Sequence, residues 1–316
     1  MTIRAATHTL TLSHEALLAL LLAVLLFMAW RMAPGFLGLA TQLELASHVW
    51  ELALVALPMT LIIISGGIDL SVGSTMALSA VIFGLAMEAG LSLTLAAALT
   101  ILVGALAGAL NGVFIARVRV HSLIVTLATL SAYRGIAEGI SLGRPITGFP
   151  PSFAWLGRGS LLGLPVPGLI FALAAIAAGV VLSRTTLGRA VYAIGHNETA
   201  CRYSGLRVDS IKLALYACSG VAAALAALLF VARRNTAKAD LGAGLELDAI
   251  TAVVLGGTSI FGGRGRILGT LLGILLIHET REFVSWRWNN DELILVVVGS
   301  LLIISVLLNG LSAARR

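Results

Sequence analysis

The sequence predicts an all-α polytopic membrane protein. One transmembrane domain covers residues 1–316, with about ten transmembrane or half-spanning helices, some broken at glycines. Three observations predict it. Hydrophobic residues make up 59% of the chain and charged residues only 11%, whereas soluble domains are about a quarter charged. Mean hydropathy is +1.01. Apolar runs of membrane-crossing length recur from end to end and leave no room for a sizeable soluble domain.

In order, the runs are 15–32, 49–66, 72–90, 92–116, 122–142, 164–183, 211–231, 246–259, 267–284 and 291–309. The first, Leu17–Trp30, has no small-x-small site before Arg31, so it reads as a retained span and not a cleaved signal. The second is apolar through Leu52–Ile64 except at Pro58 and Thr60, and the third through Met76–Met87. In the fourth, Gly108 and Gly112 flank Asn111, a pattern for close helix contact and an interhelical hydrogen bond. In the fifth, Arg134 and Glu138 share a helix face and are expected to neutralise each other against the bundle interior. The run at 246–259 is short and reads as re-entrant or half-spanning.

Two connections stand out. Residues 143–167 carry Pro145, Pro150, Pro151, Pro165 and Pro167 with Phe149, Phe153 and Trp155, a rigid surface expected on the outside. Residues 184–212 are polar and partly helix-forming. An isoelectric point near 10.0 raises the question of nucleic acid, but the basic residues form no stripe, so none is expected. They read instead as topology. With the N-terminus inside, twelve lysines and arginines fall inside and eight outside, Arg233 and Arg281 among the eight. The dense 184–212 block decides the orientation and puts both termini in the cytoplasm. Cys201 and Cys218 read as free thiols.

The most informative stretch is Ser65–Ser74, where Asp69 and several glycines and serines interrupt apolar sequence. A carboxylate and a broken helix at that depth need protein or a water-filled cavity around them, and glycine-broken segments are where transporters place their pathways. The alternative is a polar turn between spans. Around Gly66, Gly67, Asp69, Ser71, Gly73 and Ser74, backbone carbonyls and the two serine hydroxyls are candidates to meet a hydroxyl-rich solute. A weak repeat follows at Ile250–Gly265, with Gly256, Gly257, Gly262 and Gly263.

Other motifs narrow the chemistry. The only lysines, Lys212 and Lys238, follow Ile211 and Ala237, so the chain has no Gly-Lys-Ser/Thr phosphate loop. His278–Glu282 begins like a zinc-protease helix but ends on Glu282 where the second histidine belongs, so no metal is expected. No cofactor is expected either. Between Leu187 and Val208, Asn197 is placed to cap a helix that opens on Glu198 and ends at Gly205. Such a helix either docks a cytosolic partner or lies on the lipid surface.

Gly66–Gly73 resembles a signature of sugar-importing ABC permeases of the ribose/branched-chain class. Asn111-Gly112, Ser122–Leu127 and Tyr133-Arg134-Gly135 are similar to that family's middle region. Gly188–Val208 resembles its coupling loop, and Ile250–Gly263 its C-terminal glycine segment. His121, Cys201 and Leu206 depart mildly from the usual Pro, Ala and Ile. Within the class the chain looks most like rhamnose permeases and their autoinducer-2 relatives. The resemblance implies an inner-membrane permease subunit that is not an enzyme. Its partners would be cytosolic ATPase subunits, a second permease copy or paralogue, and a periplasmic sugar-binding protein. It also implies ATPase coupling through Gly188, Arg189, Gly195, Asn197, Ala200, Arg202, Gly205 and Arg207.

The resemblance, carried here by Arg134–Gly148 and His278–Asn290, implies a monosaccharide such as L-rhamnose as the solute, and the sequence displays no charged clusters suited to both ends of an amino acid. The alternative is an ion-coupled secondary transporter with Asp69 as its ion or proton site. The polar 184–212 loop argues against that reading, because such a carrier needs no ATPase dock.

Overall fold

The computed structural model describes residues 14–290, 292–294, 296–300 and 303. Helix α1 (His14–Met32) precedes α2 (Leu39–Leu45), a 3-10 turn at Ala46–His48, and α3 (Trp50–Ile64). Helices α4 (Val72–Glu88), α5 (Leu93–Ala116) and α6 (Ser122–Ser141) follow. A cap then holds β1 (Ile146–Thr147), α7 (Pro151–Arg158), β2 (Ser160–Leu161) and β3 (Leu164–Pro165). The remainder is α8 (Val166–Arg184), α9 (Thr186–His196), α10 (Glu198–Tyr203), α11 (Val208–Arg234), β4 (Thr236–Ala237), α12 (Leu245–Leu255) and α13 (Ile267–Trp288).

The polytopic helical class holds, while the expected count of about ten transmembrane or half-spanning helices is not confirmed. Among the described residues, α1, α5, α6, α8 and α11 are long and apolar enough to cross a bilayer, with a sixth if α2 and α3 form one span bent by 57°. The expected 49–66 run is α3, the second arm of this bent pair. Helix α4 has 17 residues and α12 only 11, because glycine breaks cut both short. Helix α13 fills the expected 267–284 run, but Glu279, Arg281 and Glu282 make it too charged for a plain span. Of 291–309, residues 292–294, 296–300 and 303 are helical, and the rest lies outside the described residues, as do Arg4, Arg315 and Arg316.

Helix α3 is apolar on all sides and almost wholly buried, as such a helix must be when it sits at the centre of a bundle. By contrast, α1 and α8 expose Phe27, Trp30, Leu173 and Ile176, as lipid-facing helices do. Helices α5 and α11 meet main chain to main chain. A Cβ on Gly104 would strike Gly220, on Gly108 the Tyr216 backbone, and on Gly112 the Leu213 backbone. Three glycines four apart make one flat stripe, which allows that approach. The proline-rich 143–167 connection is a small cap, not an open loop. Strand β1 pairs with β4 across Ile146–Ala237, and β2 with β3 in a hairpin turned at Leu162-Gly163.

One ionic expectation fails, and two arginines expected outside prove to be paired. Arg134 makes no ion pair with Glu138 among the described residues. Its Nη1 donates instead to the carbonyls of Ala239 and Leu241, both at 2.6 Å. The 238–244 stretch between β4 and α12 is non-helical, and its buried carbonyls need donors more than Glu138 needs a partner. Arg233 and Arg281, expected in outer loops, point into the bundle and pair with Glu51 and Asp248.

Candidate functional site

The two glycine segments terminate their helices in the same way. After α3, Gly66 (φ 82°) donates to the Ile63 carbonyl and Gly67 to that of Ile62. After α12, Gly257 (φ 88°) donates to Val254 and Thr258 to Val253. Both are Schellman endings, in which a left-handed glycine satisfies the last carbonyls of a helix. The repeat seen in the sequence is thus a repeat of backbone geometry, with Gly66 matching Gly257.

These endings meet. The Gly263 amide donates to the Ile64 carbonyl at 2.8 Å, and a Cβ on Gly262 would crowd the Gly66 amide and the Gly195 carbonyl. Helix α9 rests on the junction. A Cβ on its Gly195 would collide with the Ile64 carbonyl and the Gly263 amide, and the Tyr192 hydroxyl donates to the Gly265 carbonyl at 2.7 Å. Gly256 lies in close main-chain contact with Gly269 of α13. Gly73 sits against the Gly242 carbonyl and Glu246, where α4 meets the 238–244 stretch.

Asp69 is buried and holds the first break together. Its Oδ1 accepts from the Ser71 amide (3.0 Å) and hydroxyl (2.7 Å), and its Oδ2 accepts from Ser219 of α11 (2.8 Å). Asn111 of α5 donates to the Ser71 hydroxyl at 2.8 Å, the interhelical bond expected of it. Ser74 donates to the Ser71 carbonyl. Ser71 and Ser74, expected as candidates to meet a solute, are both buried and hydrogen-bonded to protein here. Both backbone groups of Ile68 are also satisfied, its amide by Ser122 and its carbonyl by Thr126 and Tyr216.

Helices α9 and α10 form the ends of the 184–212 connection. Thr185 caps α9 through the Gly188 amide, and Gly188 packs on the Val181 and Leu182 carbonyls. Asn197 caps α10 through Ala200, Glu198 opens the helix, and Gly205 (φ 81°) ends it with another Schellman motif, all as the spacing predicts. Arg202 is a strut that joins Glu198 and Asp209, and Lys212 reaches the same Glu198. Burial works to raise the Glu198 pKa, but hydrogen bonds and charge from Lys212 and Arg202 outweigh it and hold the carboxyl below its ordinary value. Arg189, Asn197, Ala200, Gly205 and Arg207 remain exposed.

Sequence reasoning missed Ser219, a serine in an apolar run, and two exposed aromatics. Tyr203 at the end of α10 is 88% exposed, and Phe261 in the second break is 92% exposed. An aromatic ring in a polar or glycine-rich loop was the available signal. Cys201 and Cys218 are both free.

The family described as branched-chain amino acid transport system / permease component matches residues 41–306. Autoinducer 2 import system permease protein LsrD of Yersinia pseudotuberculosis serotype O:3 is 40% identical over 271 residues, 84% of this chain and 81% of that protein. LsrD of Yersinia enterocolitica serotype O:8 is also 40% identical, over 84% of this chain and 82% of its own length. LsrD of Yersinia pestis (strain Pestoides F) is 39% identical, over 84% and 81%. No solved structure matches the chain. Family and relatives bear out the resemblance read from the glycine blocks. The chain belongs to the branched-chain amino acid transport system / permease component family, as a multi-pass membrane permease and not an enzyme.

Proposed function

We propose that this chain is the inner-membrane permease subunit of an ATP-driven importer of a small sugar-like solute. The observation that carries the reading is the seat of α9: one glycine helix rests on both glycine-broken segments at once, through Gly195, Ile64 and Gly263. A push on α9 from a bound ATPase reaches both breaks through main-chain contacts that cannot yield by rotamer change. In this reading α9 and α10 dock the ATPase. Gly66–Gly73 and Gly256–Gly263 form the gate, and Asp69, Ser71 and Ser74 hold its shape. The other half of the path comes from a second permease copy or paralogue. Both termini are cytoplasmic, and the 143–167 cap, with Trp155 and Leu162 exposed, meets a periplasmic binding protein.

For the solute we propose autoinducer 2 or a monosaccharide of the rhamnose type. Support comes from the LsrD relatives, which are autoinducer 2 import permeases, and from the resemblance of Arg134–Gly148 and His278–Asn290 to rhamnose permeases. The ion-coupled alternative loses ground, since both Asp69 oxygens are taken by protein donors.

The test is reconstitution of the chain in proteoliposomes with and without its ATPase and binding protein. Uptake is expected only with all components and ATP. Uptake by the chain alone, driven by a proton or sodium gradient, refutes the importer reading.

A further inference from the structure

Helix α12 has 11 residues and its antiparallel partner α13 has 22, so α13 runs on past the start of α12 and leaves a space on that side, while α1 packs along α13 elsewhere. The space is not closed by apolar packing. It remains a cavity of about 260 Å³ between the first turn of α3, the last turn of α11, the first turn of α12 and α13. Two ion pairs and one histidine–carboxylate hydrogen bond line it. Glu51 meets Arg233 at 2.7 Å, Asp248 meets Arg281 at 2.6 Å, and Glu282 meets His48 at 3.2 Å. Leu52, Met76 and Phe230 supply an apolar wall.

Charges gathered in a membrane bundle are costly, and well-packed hydrophobic residues would stabilise the same helices as well or better. The buried Nε of Arg281 also has no acceptor. Structural need alone does not account for this arrangement.

We propose that this cavity is a solute site within the single subunit, separate from the glycine breaks, and that its ligand is a neutral, hydroxyl-rich ring. The proposal rests on reading the chain as a solute permease and names the chemistry that the permease handles. The Arg233 and Arg281 guanidiniums already have their carboxylates and Glu282 bonds His48, so the site offers no unpaired cation for an anionic ligand. A hydroxyl can bridge such a pair, donating to the carboxylate and accepting from the guanidinium, without breaking it. An amino acid zwitterion would have to separate both Arg–carboxylate pairs to satisfy its own two ends. The charged clusters thought absent from the sequence are therefore present, but already paired.

The test places a single cysteine at the cavity wall, Leu245→Cys, in the full chain with Cys201→Ser and Cys218→Ala, reconstituted in proteoliposomes. A membrane-impermeant methanethiosulfonate reagent should modify it. L-Rhamnose and D-ribose should slow modification at least about threefold, and Asp248→Asn combined with Arg281→Met should abolish that protection. No reaction with the reagent, or no protection by either sugar, overturns the site. Stronger protection by L-leucine overturns the ligand class. With partner subunits present, Asp248→Asn should cut uptake about tenfold at low solute while ATPase co-purification is unchanged. If uptake in the variant is instead normal and ATP-dependent, the site fails and the importer reading stands. Wild-type uptake that ignores ATP fails the importer reading itself.

Discussion

Asp69 and Ser219 lie 150 positions apart in the chain, yet the Ser219 hydroxyl donates to Asp69 Oδ2 at 2.8 Å. The bond ties the first glycine break to the longest helix of the bundle. A buried carboxylate left short of a donor costs about 1–3 kcal/mol. Asp69→Asn and Ser219→Ala should therefore each lower thermal stability in detergent, and the double variant should lose at least about 0.5 kcal/mol less than the sum. Strictly additive losses would show that the two residues do not act together.

Gly195→Val should cut ATP-dependent uptake about tenfold or more, because its Cβ meets the main chain of Ile64 and Gly263 and not a movable side chain. Gly135→Ala in α6, where nothing lies within 4 Å of the new methyl, serves as the control. Equal uptake by the two variants would remove α9 from the coupling route.

At the far end of that connection, Gly205 has open space around it but a left-handed backbone. Gly205→Asp and Tyr203→Ala should weaken co-purification with the ATPase and spare membrane insertion. Undiminished capture of the ATPase by both variants would place the dock elsewhere.

Among the described residues, Arg134 is the side chain that donates to both the Ala239 and Leu241 carbonyls. Arg134→Met should destabilise the fold by about 2–5 kcal/mol, the range for leaving buried polar partners uncompensated. Arg134→Lys should recover only part, since an ammonium lacks the planar fork. Melting of both variants within a degree of wild type would contradict the clamp.

The strut under α10 should release in acid. Glu198 titrates below its ordinary 4.5 when folded, so the attachment it provides is complete above that pH and is lost as pH falls through the lower folded value. A spin label at Thr199→Cys should keep its neutral-pH mobility down to about pH 5 and gain mobility below it. Loosening that begins near neutrality would assign the effect to another group.

Much of this was legible in the sequence, for local reasons. The caps at Asn197 and Gly205 and the paired glycine breaks depend on residues within one or two turns, so spacing alone carries them. Partners drawn from distant segments left no such trace. Arg134 has a carboxylate one turn away and still chooses carbonyls about a hundred positions on, because the geometry of the 238–244 stretch appears only after folding. The number of full spans was not legible for a similar reason. An apolar run shows that a segment is buried in something, but not whether lipid or protein surrounds it, and α3 and α12 are enclosed largely by other helices.

The seam of Gly104, Gly108 and Gly112 against α11 divides the labour of the molecule. Contacts between main chains have no side-chain torsions to adjust, so α5 and α11 form a keel that travels as one piece. Relative motion is left to the places where a single glycine ends a helix. In the gate proposed above, Gly66 and Gly257 would serve as the hinges, and an added methyl at either would act less as a local defect than as a brake on the whole stroke.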